Sequence, residues 1–111
     1  MSRRDLQRLE DILAAITAIQ VHLQRGSLAD GLVFDAVRVR LIEIGEAAKG
    51  LPASLLDREP NLPWSQIAGM RDHLAHRYFD TSRAIVSATV AQDLPELEAA
   101  IRRLQELAGD A

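Results

Sequence analysis

The sequence predicts an all-α fold, an up-and-down bundle of four main helices with a kinked last helix, and three observations carry that prediction. Apolar residues recur at three- and four-residue steps over long stretches, no stretch alternates as a strand does, and three of the four prolines gather in one connector. The first helix follows from Leu6, Leu9, Ile12, Leu13, Ile16, Ile19 and Leu23, which draw one apolar stripe from about Ser2 or Arg3 to Gln24. Arg25-Gly26-Ser27 stops it, with Gly26 suited to a left-handed C-terminal cap. A second helix, from about Asp30 to Lys49, follows from Phe34, Val37, Leu41, Ile44, Ala48 and Leu51. Its small residues Gly45, Ala47 and Ala48 would let another helix approach closely, and Gly50 and Pro52 end it.

The stretch from Pro52 to Pro63 reads as a connector with one helical turn at Ala53–Asp57. Pro63 suits the first position of a third main helix carrying Trp64, Ile67, Met70 and Leu74. The last helix runs from Thr81 or Ser82 to about Leu107 and buries Ile85, Thr89, Leu97, Ile101, Leu104 and Ala108. Pro95 should kink or split it, because proline removes a backbone donor and clashes with the preceding turn.

At 111 residues, 48% apolar and 26% charged, the chain has the size and mix of one domain spanning residues 1–111. Its net charge of −3 supplies no global positive field, so any nucleic-acid site must be local. Without cysteine there is no disulfide framework and no thiolate zinc site. No apolar run reaches the roughly 18–20 residues of a membrane span, and the first residues lack a secretory signal, so a cytoplasmic protein is expected.

Chemistry concentrates in one segment, Met70-Arg71-Asp72-His73-Leu74-Ala75-His76-Arg77-Tyr78-Phe79-Asp80, at the end of a short helix and the turn after it. On an ideal helix Arg71 and His76 stand about 140° apart, so they converge only if the helix ends near Ala75 or if two copies of the segment meet. Asp72 and His76 are i,i+4 neighbours and can pair directly. A histidine near a helix C-terminus and beside a carboxylate has its cationic form favoured, as a proton donor requires. Arg71 offers a planar fork of donors for phosphate oxygens.

The segment's Arg71-x4-His76-x-Tyr78 pattern resembles the R-x4-H-x-Y motif of HepT-like proteins in the HEPN superfamily. The runs Ile44-Gly45-Glu46-Ala47-Ala48, Pro63-Trp64-x-x-Ile67-x-Gly69-Met70-Arg71 and Asp93-Leu94-Pro95-x-Leu97 resemble the same group in the expected order, so the likeness covers most of residues 30–107. The family commonly carries Asn after the motif arginine, where this chain has Asp72. The resemblance implies a HEPN-like bundle and a toxin that cleaves RNA without a metal or other cofactor. Arg71 and His76 would be catalytic, with Asp72 and Glu46 in support. It further implies a homodimer that joins two motifs in one cleft. The implied antitoxin is a cognate MntA-like nucleotidyltransferase, which uses ATP and Mg to place AMP on the hydroxyl of Tyr78.

Other readings of the same residues stay open. Arg71 can serve as a structural ion-pair partner of Asp72, Asp80 or Glu46, His76 as a helix-capping histidine, and Tyr78 as a packing aromatic. Glu46 can be a solvated carboxylate, Trp64 belongs to the core, and His22 and His73 have surface or structural roles. A different functional class is a non-catalytic helical binding subunit of a nucleotidyltransferase, which the net charge and Asp72 favour.

Overall fold

The structure, a computed structural model, describes residues 1–75 and 79–109. Helix α1 spans Arg3–Arg25, α2 Gly31–Lys49, α3 Ala53–Leu56, α4 Trp64–Ala75, α5 Phe79–Ala88 and α6 Leu94–Gly109, with a π-helical segment at Thr89–Asp93 between the last two. Among the described residues there is no strand.

Local chemistry sets the helix starts. Ser2 caps α1 by accepting from the Asp5 N–H, and Asp5 reaches back to the Ser2 N–H, which satisfies two otherwise unpaired donors. Asp30 caps α2 by accepting from the N–H groups of Leu32 and Val33. Helix α4 begins one residue later than proline's preference for the first turn suggests, with the Pro63 carbonyl accepting from Ile67.

Two details differ from expectation. Gly26 has φ 172°, which is extended backbone, so α1 does not end in a left-handed cap. The last helix does break near Pro95, but by a widened turn ahead of it. The Leu94 N–H donates to the Thr89 carbonyl, five residues back, and α6 starts afresh with Pro95 in its first turn, where a missing donor costs little.

Helix α1 packs on α2 and α6, and α2 also packs on α4 and α5. The shared core holds Leu9, Ile12, Ile16 and Ile19 from α1, Val37, Leu41 and Ile44 from α2, Leu74 from α4, and Leu97, Ile101 and Leu104 from α6. Each such side chain contributes about 1.5–3 kcal/mol by leaving water. Truncating Leu41, which is fully buried, to alanine costs about 2–5 kcal/mol. A clamp fixes the approach to α4: the Trp64 indole N–H donates to the Glu59 carbonyl, and Arg103 of α6 grips the Glu59 carboxylate with Nε and Nη2.

Candidate active site

The site is built where α2 crosses α4. A Cβ placed on Gly45 would lie 3.0 Å from both the Arg71 backbone nitrogen and the Ile67 carbonyl oxygen, so the two backbones meet here with no room for a side chain. Glu46, the next residue on α2, is turned about 100° from that contact and so reaches around the side of α4. Its Oε2 stands 2.5 Å from Arg71 Nε. Asp72 Oδ1 lies 3.7 Å from Arg71 Nη1, a looser contact. Of Glu46 and Asp72, Glu46 is therefore the closer partner. The pair is open to solvent, with the side chains of Arg71 and Glu46 47% and 59% exposed, so its worth is in orientation more than in stability. Glu46 occupies Nε, and the Nη edge of the guanidinium has only the looser Asp72 contact, which a ligand's phosphate would have to displace.

The described part of helix α4 runs as far as Ala75. Arg38 of α2 donates from Nη1 to the Leu74 carbonyl, which ties α2 to the last described turn of α4. His76, Arg77 and Tyr78, on which the proton-transfer and modification expectations fall, lie outside the described residues.

Around Arg71 opens a groove of about 660 Å³ that also takes in Arg8, Asp11, Arg40, Glu43 and Glu46. Arg8 donates to the Gly50 carbonyl at 2.9 Å, and Arg40 pairs with Glu43 at 2.6 Å. Arg8 and Arg40 escape sequence reasoning because neither lies near the motif, and only the packing of α1 on α2 brings them beside Arg71. Arg38 escapes it for the same reason. His22 is half-buried, with Nε2 at 3.5 Å from Arg40 Nε. Trp64, expected in the core, is half-buried and anchored through its indole.

His73 projects away from Arg71 and lines a separate cavity of about 450 Å³ on the other side of α4. Among the described residues no cluster of His, Asp and Glu could hold a metal ion, and no helix is long and apolar enough to cross a membrane.

Comparison with known proteins gives a consistent result. The family described as Ribonuclease HepT-like matches residues 5–104. A Thermococcus cleftensis protein named Probable ribonuclease HepT is 33% identical over 110 residues, covering 96% of this chain and 100% of that one. A Caldanaerobacter subterraneus protein that bears an RNase name is 42% identical over 67 residues, which is 60% of either chain. A Methanocaldococcus jannaschii protein, also bearing an RNase name, is 26% identical over 103 residues, 88% of this chain and 94% of its own. No solved structure matches the chain.

Proposed function

The chain belongs to the HepT-like ribonuclease family, and from that premise we propose that it is the toxin of a toxin–antitoxin pair, a metal-independent endoribonuclease acting in the cytoplasm as a homodimer. The observation that carries the reading is the Arg71 guanidinium, held through Nε by Glu46, with only a looser Asp72 contact at Nη1, on the wall of an open groove.

The chemistry follows from the residue types. The RNA 2′-oxygen attacks the adjacent phosphorus, the P–O5′ bond breaks, and a 2′,3′-cyclic phosphate and a 5′-hydroxyl result. Arg71 neutralises the phosphate oxygens as charge gathers on them. His76 moves the proton, taking it from the 2′-hydroxyl or giving it to the leaving oxygen. A dimer with the Arg71–Tyr78 segments at its two-fold axis supplies a second histidine, so that one acts as base and the other as acid. Arg8 and Arg40 in the same groove would meet flanking phosphates.

The off-switch is a cognate nucleotidyltransferase that transfers AMP from ATP, with Mg, to the Tyr78 hydroxyl, which loses its proton as the α-phosphorus bond to pyrophosphate breaks and pyrophosphate leaves. Each AMP adds a negative phosphodiester and a purine, which would compete with RNA for Arg71 and Arg77. Intact-mass measurement after co-expression should show AMP units that are absent from Tyr78→Phe, and that variant should remain toxic beside the partner.

A second reading, a non-catalytic subunit of the nucleotidyltransferase, is favoured by one observation: Asp11, Glu43 and Glu46 balance the three arginines of the groove. Incubation of the purified chain with RNA in EDTA separates the two readings. The enzyme yields cyclic-phosphate ends that disappear in His76→Ala, whereas the binding subunit leaves RNA intact.

A further inference from the structure

We propose that the cavity on the side of α4 away from Arg71 is a guanine-binding subsite, which reads one unpaired base of the RNA at a fixed distance from the cut. The inference deepens the ribonuclease reading and rests on it for the source of the base.

The cavity lies between α4, the π-helical segment and the start of α6, and its volume of about 450 Å³ falls within the range of small-molecule sites. Ile67, Met70, Leu94 and Leu97 give it buried apolar walls. Around these stand a few polar groups, chiefly His73, Thr89 and Asp93. That combination suits a flat heterocycle, whose faces pack on apolar side chains and a thioether while its edge takes hydrogen bonds.

Two independent observations point to a ligand. The first is Thr89, 7% exposed, whose hydroxyl has the Met70 sulfur at 3.9 Å as its hydrogen-bond acceptor among the described residues. A thioether is a weak acceptor, so this buried hydroxyl is under-used and free to turn to a ligand. The second is the π-helical turn Thr89–Asp93, which supplies both Thr89 and Asp93 to the cavity. Widened turns of this kind occur mostly as single-turn insertions within α-helices, and frequently at functional sites.

The charges select the ligand. No Lys or Arg stands among the described residues lining the cavity, so none of these offers a cation to a nucleotide's phosphates. Asp93 is half-buried and presents two acceptor oxygens. Guanine is the base whose edge carries two adjacent donors, N1–H and N2–H2, that match a carboxylate in bidentate fashion. His73 at the rim can donate to its exocyclic O6 or to N7. A helix about 10–12 Å across separates the cavity from Arg71, so the base read here is not the one whose phosphate Arg71 holds.

The test has two arms. In the first, binding of guanosine, inosine, adenosine and cytidine to the full chain is measured by ligand-observed NMR. Guanosine should bind roughly tenfold more tightly than inosine, which lacks the N2 amino group. Asp93→Asn and Thr89→Val should each weaken guanosine. Gly69→Leu should abolish binding, since a Cβ at Gly69 meets nothing nearer than His73 at 3.9 Å and the longer side chain would enter the cavity. Thr89→Val keeps the volume and helix shape, so the proposal stays testable if Asp93→Asn fails to fold. In the second arm, cut sites are sequenced in a pool of random RNA. Guanine should be enriched at one fixed offset from the cut, and Asp93→Asn should lose the enrichment while still cutting. Equal binding of all four nucleosides, or none, overturns the subsite even if RNA is cut. Selective guanosine binding by a chain that cuts no RNA upholds the guanine site and defeats the ribonuclease reading alone. Selective binding without an offset preference overturns RNA as the source and leaves a free nucleoside as the ligand.

Discussion

The two sides of α4 are built on opposite rules. On the Arg71 side Gly45 brings another backbone against the helix, and the polar groups there pair with one another before any ligand arrives. On the other side a Cβ at Gly69 would meet only the His73 ring, at 3.9 Å, and the buried Thr89 hydroxyl has, among the described residues, no better acceptor than a thioether. Two glycines near one helix thus serve contrary ends, one closing a helix crossing and the other leaving a cavity unfilled. The difference teaches that a reactive cation needs a rigid, pre-paired mount, whereas a recognition pocket needs vacancy and idle donors.

The largest expected effect breaks the first side. Arg71→Ala removes the cation over the phosphate and should lower RNA cleavage by about 10²–10³-fold with the fold retained, as circular dichroism would verify. Unchanged cleavage would make Arg71 a structural ion-pair residue.

Gly45→Val tests the crossing itself. With backbone atoms already 3.0 Å from the nearest Cβ position, the added side chain must push α4 from α2. Overpacking of this kind costs about 1–3 kcal/mol, and a displacement near 1 Å at the reacting centre can cost about 10²-fold in rate. Thermal melts and cleavage rates should therefore fall together. Gly69→Ala should do the reverse on the other side, raising stability by about 0.5–1 kcal/mol, because alanine is the better helix former and its methyl group finds room.

Much of this contrast was legible beforehand. The heptad-like spacing of α1 and α2 marks their buried faces, and the small residues around Gly45 announce a close helix approach before the partner helix is known. Glu46 was one of three possible partners for Arg71, and its closer approach than Asp72 follows from the crossing geometry. The π-helical turn was not legible, because Pro95 signals that the helix must break while the residues ahead of it carry no mark of how. Arg38, Arg40 and Arg8 were invisible as site residues, since only tertiary packing brings them to the end of α4 and to the groove.

The smallest effect lies away from both sides, at the clamp where α4 begins. Arg103 beside Glu59 holds its carboxyl below the ordinary value of 4.5, chiefly through hydrogen bonds to the guanidinium. A carboxyl whose folded value is depressed contributes stability that is complete above the unfolded value and lost as pH falls through the folded one. The melting temperature should therefore drop on acidification below about pH 4.5, and less steeply in Glu59→Gln. Cleavage at neutral pH should be the same in both proteins, since the clamp touches neither side of α4.

The most direct test of the account is a double-mutant cycle on single-turnover RNA cleavage in EDTA, using the parent chain, Glu46→Gln, Arg71→Ala and the double variant. If Glu46 works by holding Arg71 over the phosphate, Glu46→Gln slows the parent but causes no further loss once Arg71 is gone, a coupling that closely matches the whole Glu46→Gln effect. An equal loss from Glu46→Gln in both backgrounds, or RNA left uncut by the parent chain, would contradict it.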